Sequence, residues 1–326
     1  MSKLRFSAWM SGSGPAALAS LQAHAHQLNR LYPSWYSLGP YAQVQRSAHA
    51  GAALRAQVGA FAQAHGVELW PLLSAGDPAH PAPQAGLLRL LLHERGARQA
   101  HLAQLLHFLK ADHAVGVDLS YPGFYSADQA AFGDFVAEVA AALHQEKLKV
   151  GLIVRARVDP RRDALPDYKA LAAACDRIQV LGCGFHGPDS GPGPIAPPHW
   201  QERVLSQALD AVPLEKMEWG LPAFGWRWTP REQPKLVAWS DWEPLVKSFA
   251  PERRDPETAE MHLSFSGSEV WMNDAISLTA KLWPCRRAGV GDVALWSLGQ
   301  EDPRVWALVE TLPEPFVESQ QGQEFH

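Results

Sequence analysis

Short apolar runs alternate with amphipathic stretches along most of the chain. Eight runs stand out: LRFSAW (4–9), SWYSL (34–38), VELWPLL (67–73), VGVDL (115–119), KVGLIV (149–154), RIQVL (177–181), MEWGLP (217–222) and DVALWSL (292–298). Each is short, rich in branched or aromatic residues and followed by polar or turn-forming sequence, the pattern of a strand covered on both faces. Between them, helical spacing appears over Ala16–Leu31, Ala48–His65, Gln99–Ala111, Asp128–Gln145, Lys169–Cys175 and Asp274–Ala288. Leu102, Leu105, Leu106 and Leu109 repeat at the i, i+3, i+4, i+7 interval of a helix face. Eight strand–helix units predict a closed (β/α)8 TIM barrel. An open doubly wound sheet fits less well, because no glycine-rich phosphate loop follows the first run.

Three segments break the rhythm: Gly76–Gln84, Gly184–His199 and Trp226–Ser264. All follow predicted strand ends, which places them on the C-terminal face, where barrels of this type build their sites. The third is long enough for a small excursion after the seventh strand. Residues 1–313 are therefore read as one barrel domain and 314–326 as a C-terminal tail.

Composition narrows the function. With 29 Lys and Arg against 34 Asp and Glu, the formal charge is −5, which leaves no basic footprint for nucleic acid. No apolar stretch is long enough to span a bilayer and no signal-peptide pattern opens the chain, so the expectation is a cytoplasmic protein that does not enter membranes. Cys175, Cys183 and Cys285 lack the spacing of a zinc site or a disulfide framework, and neither metal nor cofactor is expected. The 13 Trp supply flat apolar faces, most of them for the core and a few for stacking on a ligand.

Four segments in order resemble landmarks of the family-18 glycoside hydrolases, the chitinase-like proteins. VGVDLSYPG (115–123) stands where that family has DGIDLDYEG. LGCGFHGPDSGPGP, from Leu181, stands for its MxYDY-type sixth strand; GLPAFGWRW, from Gly220, for GLPxYGxxW; and LWSLGQEDPRVW, ending at Trp306, for the last strand. The resemblance implies a barrel whose active relatives use the N-acetyl group of the substrate as nucleophile, with a Glu as proton donor and Asp and Tyr side chains around the acetamide. Position by position, those groups fall here on Val115, Asp118, Ser120, Pro122, Cys183 and Gly184. Only Asp118 keeps a family side chain. Proline has no proton to give, and general acid catalysis alone contributes about 10²–10⁴-fold. The resemblance thus implies a pseudoenzyme that binds a glycan or another small polar ligand without hydrolysing it.

Candidate ligand contacts are Tyr36, Asp118, Tyr121, His186, Phe224, Trp226 and Trp296. Trp296 matches the tryptophan that floors the sugar subsite in the family. Asp118, Ser120 and Pro122 share strand parity and point inward, while Val117 and Leu119 point to the helices. Tyr36 is expected to face inward at the end of the second strand, and a structural role for Asp118 is weighed against ligand contact. Asp274 is expected to cap the helix that follows it. Two alternatives stay open: an active hydrolase with its acid relocated to Glu218 or Glu202, and a barrel serving only as a structural or protein-interaction scaffold.

Overall fold

A computed structural model describes residues 4–12, 14–75, 85–121, 126–156, 167–249 and 252–311. Pro122, the loop 76–84 and the tail 314–326 lie outside the described residues.

The chain opens with strand β1 (Arg5–Met10) and helix α1 (Pro15–His24), then runs into β2 (Leu28–Pro33), β3 (Tyr36–Leu38) and β4 (Val44–Arg46). Helix α2 (Ala52–Ala64) leads to β5 (Glu68–Leu69) and β6 (Leu72–Ser74), and helices α3 (Ala85–His93) and α4 (Arg95–Ala111) to β7 (Gly116–Ser120). Next come α5 (Gln129–Gln145), β8 (Lys149–Arg155), α6 (Tyr168–Ala174), β9 (Arg177–Leu181), α7 (Pro198–Leu209) and β10 (Met217–Pro222). An insertion then holds β11 (Gly225–Trp228), β12 (Lys235–Val237), α8 (Trp239–Ser248), β13 (Arg253–Arg254), β14 (Met261–Phe265) and β15 (Ser268–Met272). Helix α9 (Ala275–Arg287), strand β16 (Asp292–Trp296) and helix α10 (Val305–Thr311) complete the described chain.

The sheet closes on itself. β1 pairs in parallel with both β2 and β16, and β7 through β10 follow in sequence order to β16. β5 pairs with β2 and β6 with β7, and these two are halves of one run bent at Trp70–Pro71. Trp70 N donates to Leu31 O at 2.9 Å while Val115 N donates to Leu69 O at 2.9 Å, so this run bridges the strands on either side. The architecture is the expected eightfold barrel.

The second strand corrects the sequence reading. It starts at Leu28, six residues before the SWYSL run and inside the stretch read as helix, because α1 ends at His24. Arg30 and Tyr32 in LNRLYP mimic the polar face of a helix, but they serve the barrel interior. Between the pairs Leu31↔Leu69 and Tyr36↔Leu73 the second strand carries one residue more than the third. A bulge of this kind exchanges the faces of everything after it. Tyr36 therefore does not face inward: it is buried against α4, stacked 5.8 Å from Phe108, and its hydroxyl donates to Asp112 at 2.7 Å.

The excursion after the seventh strand is a five-stranded antiparallel sheet, β12-β11-β15-β14-β13. One face packs Val237, Leu263, Val270 and Met272 against Trp242 of α8. A buried ion pair anchors it: Glu260 lies 3.0 Å from Lys281 of α9 and accepts from the Ile195 and Ala196 amides at 2.7 and 2.9 Å. This fixes the insertion, α9 and the loop 184–199 to one another. Asp274 caps α9 as expected, accepting from Ser277 N at 3.0 Å.

Candidate functional site

The barrel interior is layered along its axis, and its N-terminal end is ionic. Asp292 takes Arg5 at 2.5 Å, Arg30 at 3.0 Å and Arg177 at 3.2 Å. Glu68 takes Arg30 at 3.2 Å and Lys149 at 3.4 Å. Burial alone would raise the Asp292 carboxyl, but the guanidinium groups of Arg5, Arg177 and Arg30 hold it below its ordinary range. Glu218 belongs to this end. It is fully buried, accepts from the Tyr32 hydroxyl at 2.5 Å and lies 3.7 Å from Arg30.

Asp118 occupies the middle layer, facing inward as predicted, with Val117 and Leu119 buried on the helix side. It accepts from Trp9 Nε1 at 2.9 Å and has no exposed surface. Burial pushes its carboxyl well above the usual range and the Glu218 carboxylate adds to this, against the Trp9 hydrogen bond. The carboxyl is sealed under the Trp9 indole and held towards its neutral form. Gly151 makes the arrangement possible: a Cβ there would lie 2.9 Å from Asp118 Oδ1 and 3.2 Å from the Gln179 amide.

Above this layer the barrel opens. Trp296 is half-buried with its ring 5.1 Å from that of Trp9, in an inner cluster that includes Ile153 and Leu181. Ser120 is half-buried and registers with Ser74. Cys183 is half-buried too, but its thiol is enclosed by protein and burial pushes it up to about 12, so it is no nucleophile at neutral pH. Gly184 sits at φ +98°, a conformation that favours glycine.

The remaining candidates divide. Trp226 is half-buried beside the mouth, edge-on to Phe224 at 6.0 Å and paired across strands with Trp271, while Phe224 itself is buried. Tyr121 is not at the rim. It is buried among Phe132 and Phe135, and its hydroxyl lies 3.0 Å from His101 Nε2. His101 also meets the Ala42 carbonyl at 2.9 Å, and burial lowers it to about 4. His186 is folded into its own loop, with Nδ1 2.9 Å from Pro194 O and its ring over Gly193. Neither alternative acid reaches the mouth: Glu218 lies at the closed end, and Glu202 is on the outer face of α7, paired with Arg287.

One residue escaped the sequence reading. Arg155 ends β8 on the face shared by Gly151 and Ile153, is exposed, and registers with Leu181. The run KVGLIV stops one residue short of it; period-two alternation carried one step further places it over the barrel axis. Together with Leu181, Cys183, Phe185, Asp189 and Trp200 it lines a cavity of about 400 Å³. Among the described residues no cluster of three His, Cys, Asp or Glu is arranged to hold a metal, and no helix is long and apolar enough to cross a membrane.

Comparison with known proteins places this geometry. No family model matches the chain. A Bacillus subtilis protein named as an uncharacterised glycosylase, YvbX, is 21% identical over 261 residues, 76% of each chain. Among solved structures, a chitinase from Chromobacterium violaceum superimposes with a TM-score of 0.85 at 23% identity, covering 95% of this chain and 99% of that one. The Bacillus cereus spore cortex-lytic enzyme SleL gives 0.82 at 17% identity, over 94% and 74%. The resemblance to the chitinase-like family-18 barrels holds at the level of the fold.

Proposed function

We propose that this chain is a saccharide-binding barrel in which the substrate-assisted hydrolysis of its structural relatives has been lost. One observation carries the reading. Among the described residues no barrel strand ends in an inward carboxylate at the open mouth, where Ser74, Ser120, Arg155, Cys183 and Trp296 stand instead. A retaining hydrolysis through the acetamide needs a proton donor and a group that orients the nucleophile. Serine, a protonated thiol and, at the family's acid position, Pro122 supply neither. Loss of several members of one catalytic unit leaves little beyond binding. Trp296 keeps the apolar face that suits a pyranose ring.

Titration calorimetry with N-acetylglucosamine oligosaccharides, run beside a product assay on the same oligosaccharides and on peptidoglycan fragments, tests the reading. Saturable binding with no product above a heat-inactivated blank is expected, and Trp296→Ala weakens binding by about two- to tenfold. Pro122→Glu alone stays without turnover, since Ser120, Cys183 and Gly184 still lack the groups that hold the acetamide. Sustained turnover by the natural sequence would sink the proposal.

A further inference from the structure

We propose that Arg155 makes the mouth selective for saccharides that carry a carboxylate; this rests on the saccharide-binding reading and names the class of sugar. The placement follows from strand parity. The missing side chain of Gly151 would point at Asp118 and Gln179 in the barrel centre, Ile153 packs in the inner cluster, and Arg155 is the next residue on that face. It is therefore the last inward side chain of the fifth barrel strand, held above the layer of Ile153, Leu181 and Trp296.

Its surroundings leave the charge available. Among the described residues the Arg155 guanidinium has no hydrogen bond and no ion pair, while its carbonyl accepts from Tyr168 and fixes the strand end. Among the described residues the charged groups around it are few. Asp118 beneath is buried and held towards its neutral form, and Asp189 shares the cavity but makes no ion pair with Arg155. An unpaired guanidinium over low-dielectric walls focuses a positive field at the opening. Its planar fork matches a carboxylate with two parallel hydrogen bonds, which a neutral sugar cannot return.

The rest of the cavity suits a sugar ring bearing that group. Phe185 is 39% exposed and is backed by Trp200 at 5.8 Å, which offers a flat apolar face on one side. Asp189 supplies an acceptor for a hydroxyl or amide N–H of the same ring. Cys183 and Gly184 stand where larger family side chains are expected, which opens the volume between these groups. The same guanidinium opposes the positive charge that builds at the anomeric carbon during glycoside cleavage, so the feature that selects an anion also suits a mouth that binds without cutting.

Calorimetry with matched tetrasaccharides tests the assignment, using the full chain and three ligands on one backbone. The first is unmodified N-acetylglucosamine, the second carries lactyl ether carboxylates on alternate residues, and the third has those carboxylates reduced to alcohols. The carboxylated ligand is expected to bind about tenfold tighter than its reduced twin, with the ratio shrinking as salt rises. Arg155→Gln brings the ratio to about one, and Arg155→Lys leaves it intermediate because the charge remains without the fork. Arg155 is exposed, so an unchanged melting curve certifies the fold of each variant. Equal affinity for the carboxylated and reduced ligands, or a ratio that persists in Arg155→Gln, overturns the proposal while the saccharide reading stands. Tighter binding of an O-sulfated tetrasaccharide than of the carboxylated one overturns the carboxylate assignment. Failure of every tetrasaccharide to bind removes both readings.

Discussion

At the N-terminal end of the barrel Arg5, Arg30, Lys149 and Arg177 interlock with Glu68, Glu218 and Asp292; at the C-terminal end the inward positions are Ser74, Ser120, Arg155, Cys183 and Trp296. Both ends belong to the same eight strands, and only a few residues of each strand separate them. At the ionic end Arg30, Arg177, Glu218 and Asp292 are buried and tied to one another across the closing sheet, while Arg5, Glu68 and Lys149 pair with them from the solvent side. The open end holds no interlocked charges: Ser120, Cys183 and Trp296 are half-buried there and Arg155 is exposed. The fold is secured at one end, and the chemistry of the other end is free to change without loss of the barrel. That independence lets a chain keep a chitinase-type architecture while the side chains at its mouth vary.

The contrast can be broken most severely at its ionic end. Asp292→Ala leaves Arg30 and Arg177 buried without their shared partner and is expected to cost about 3–5 kcal/mol, read from urea unfolding monitored by Trp fluorescence. A loss below about 1 kcal/mol would show that this end is not what secures the barrel.

A pH series sharpens the comparison next. His101 is neutral in the fold at about 4 but titrates near 6.5 when unfolded, so the unfolded chain binds the extra proton first as pH falls. Its contribution is full above about pH 6.5 and is lost progressively towards pH 4, by about 3 kcal/mol. His101→Gln is expected to flatten that part of the stability profile, since an amide can still meet both Ala42 O and the Tyr121 hydroxyl. Asp118 acts in the opposite sense: its raised carboxyl favours the fold at low pH and loses that advantage as pH rises, so the two should be separated by comparing their variants.

Smaller effects belong to the middle and top layers. Gly151→Ala is expected to destabilise by about 1–3 kcal/mol, because the new methyl meets Asp118 and Gln179 in a filled interior. Asp118→Asn keeps an acceptor for Trp9 and replaces a carboxyl that burial holds towards its neutral form, so its change in stability at neutral pH should stay within about 1 kcal/mol. At the mouth, Ser120→Ala is expected to change the unfolding free energy by less than about 0.5 kcal/mol. A large loss there would contradict the division between the two ends.

Several features could be read before any coordinates. RIQVL and MEWGLP coincide with β9 and β10, Asp118 faces the axis, and Asp274 caps α9. These follow from local rules: alternation on a strand, and a side-chain acceptor at a helix start. Tyr36 and Tyr121 depart from the sequence reading for different reasons. A bulge after Pro33 reversed the parity of one, and the other lies just beyond Ser120, where parity alone turns it towards the helices and His101. Arg155 was missed because a charged residue at a strand end looks like a strand terminator until the inward face has been assigned.

By itself the sequence determined the barrel and its eight-unit rhythm, because both depend on residue type and spacing along the chain. Only the tertiary structure decided that Glu218 is locked among buried charges, that Asp118 is sealed with its carboxyl held towards the neutral form and that Arg155 has no ion-pair partner among the described residues. Those states depend on which side chains from distant strands meet, and on how much water is left around a charge once they do.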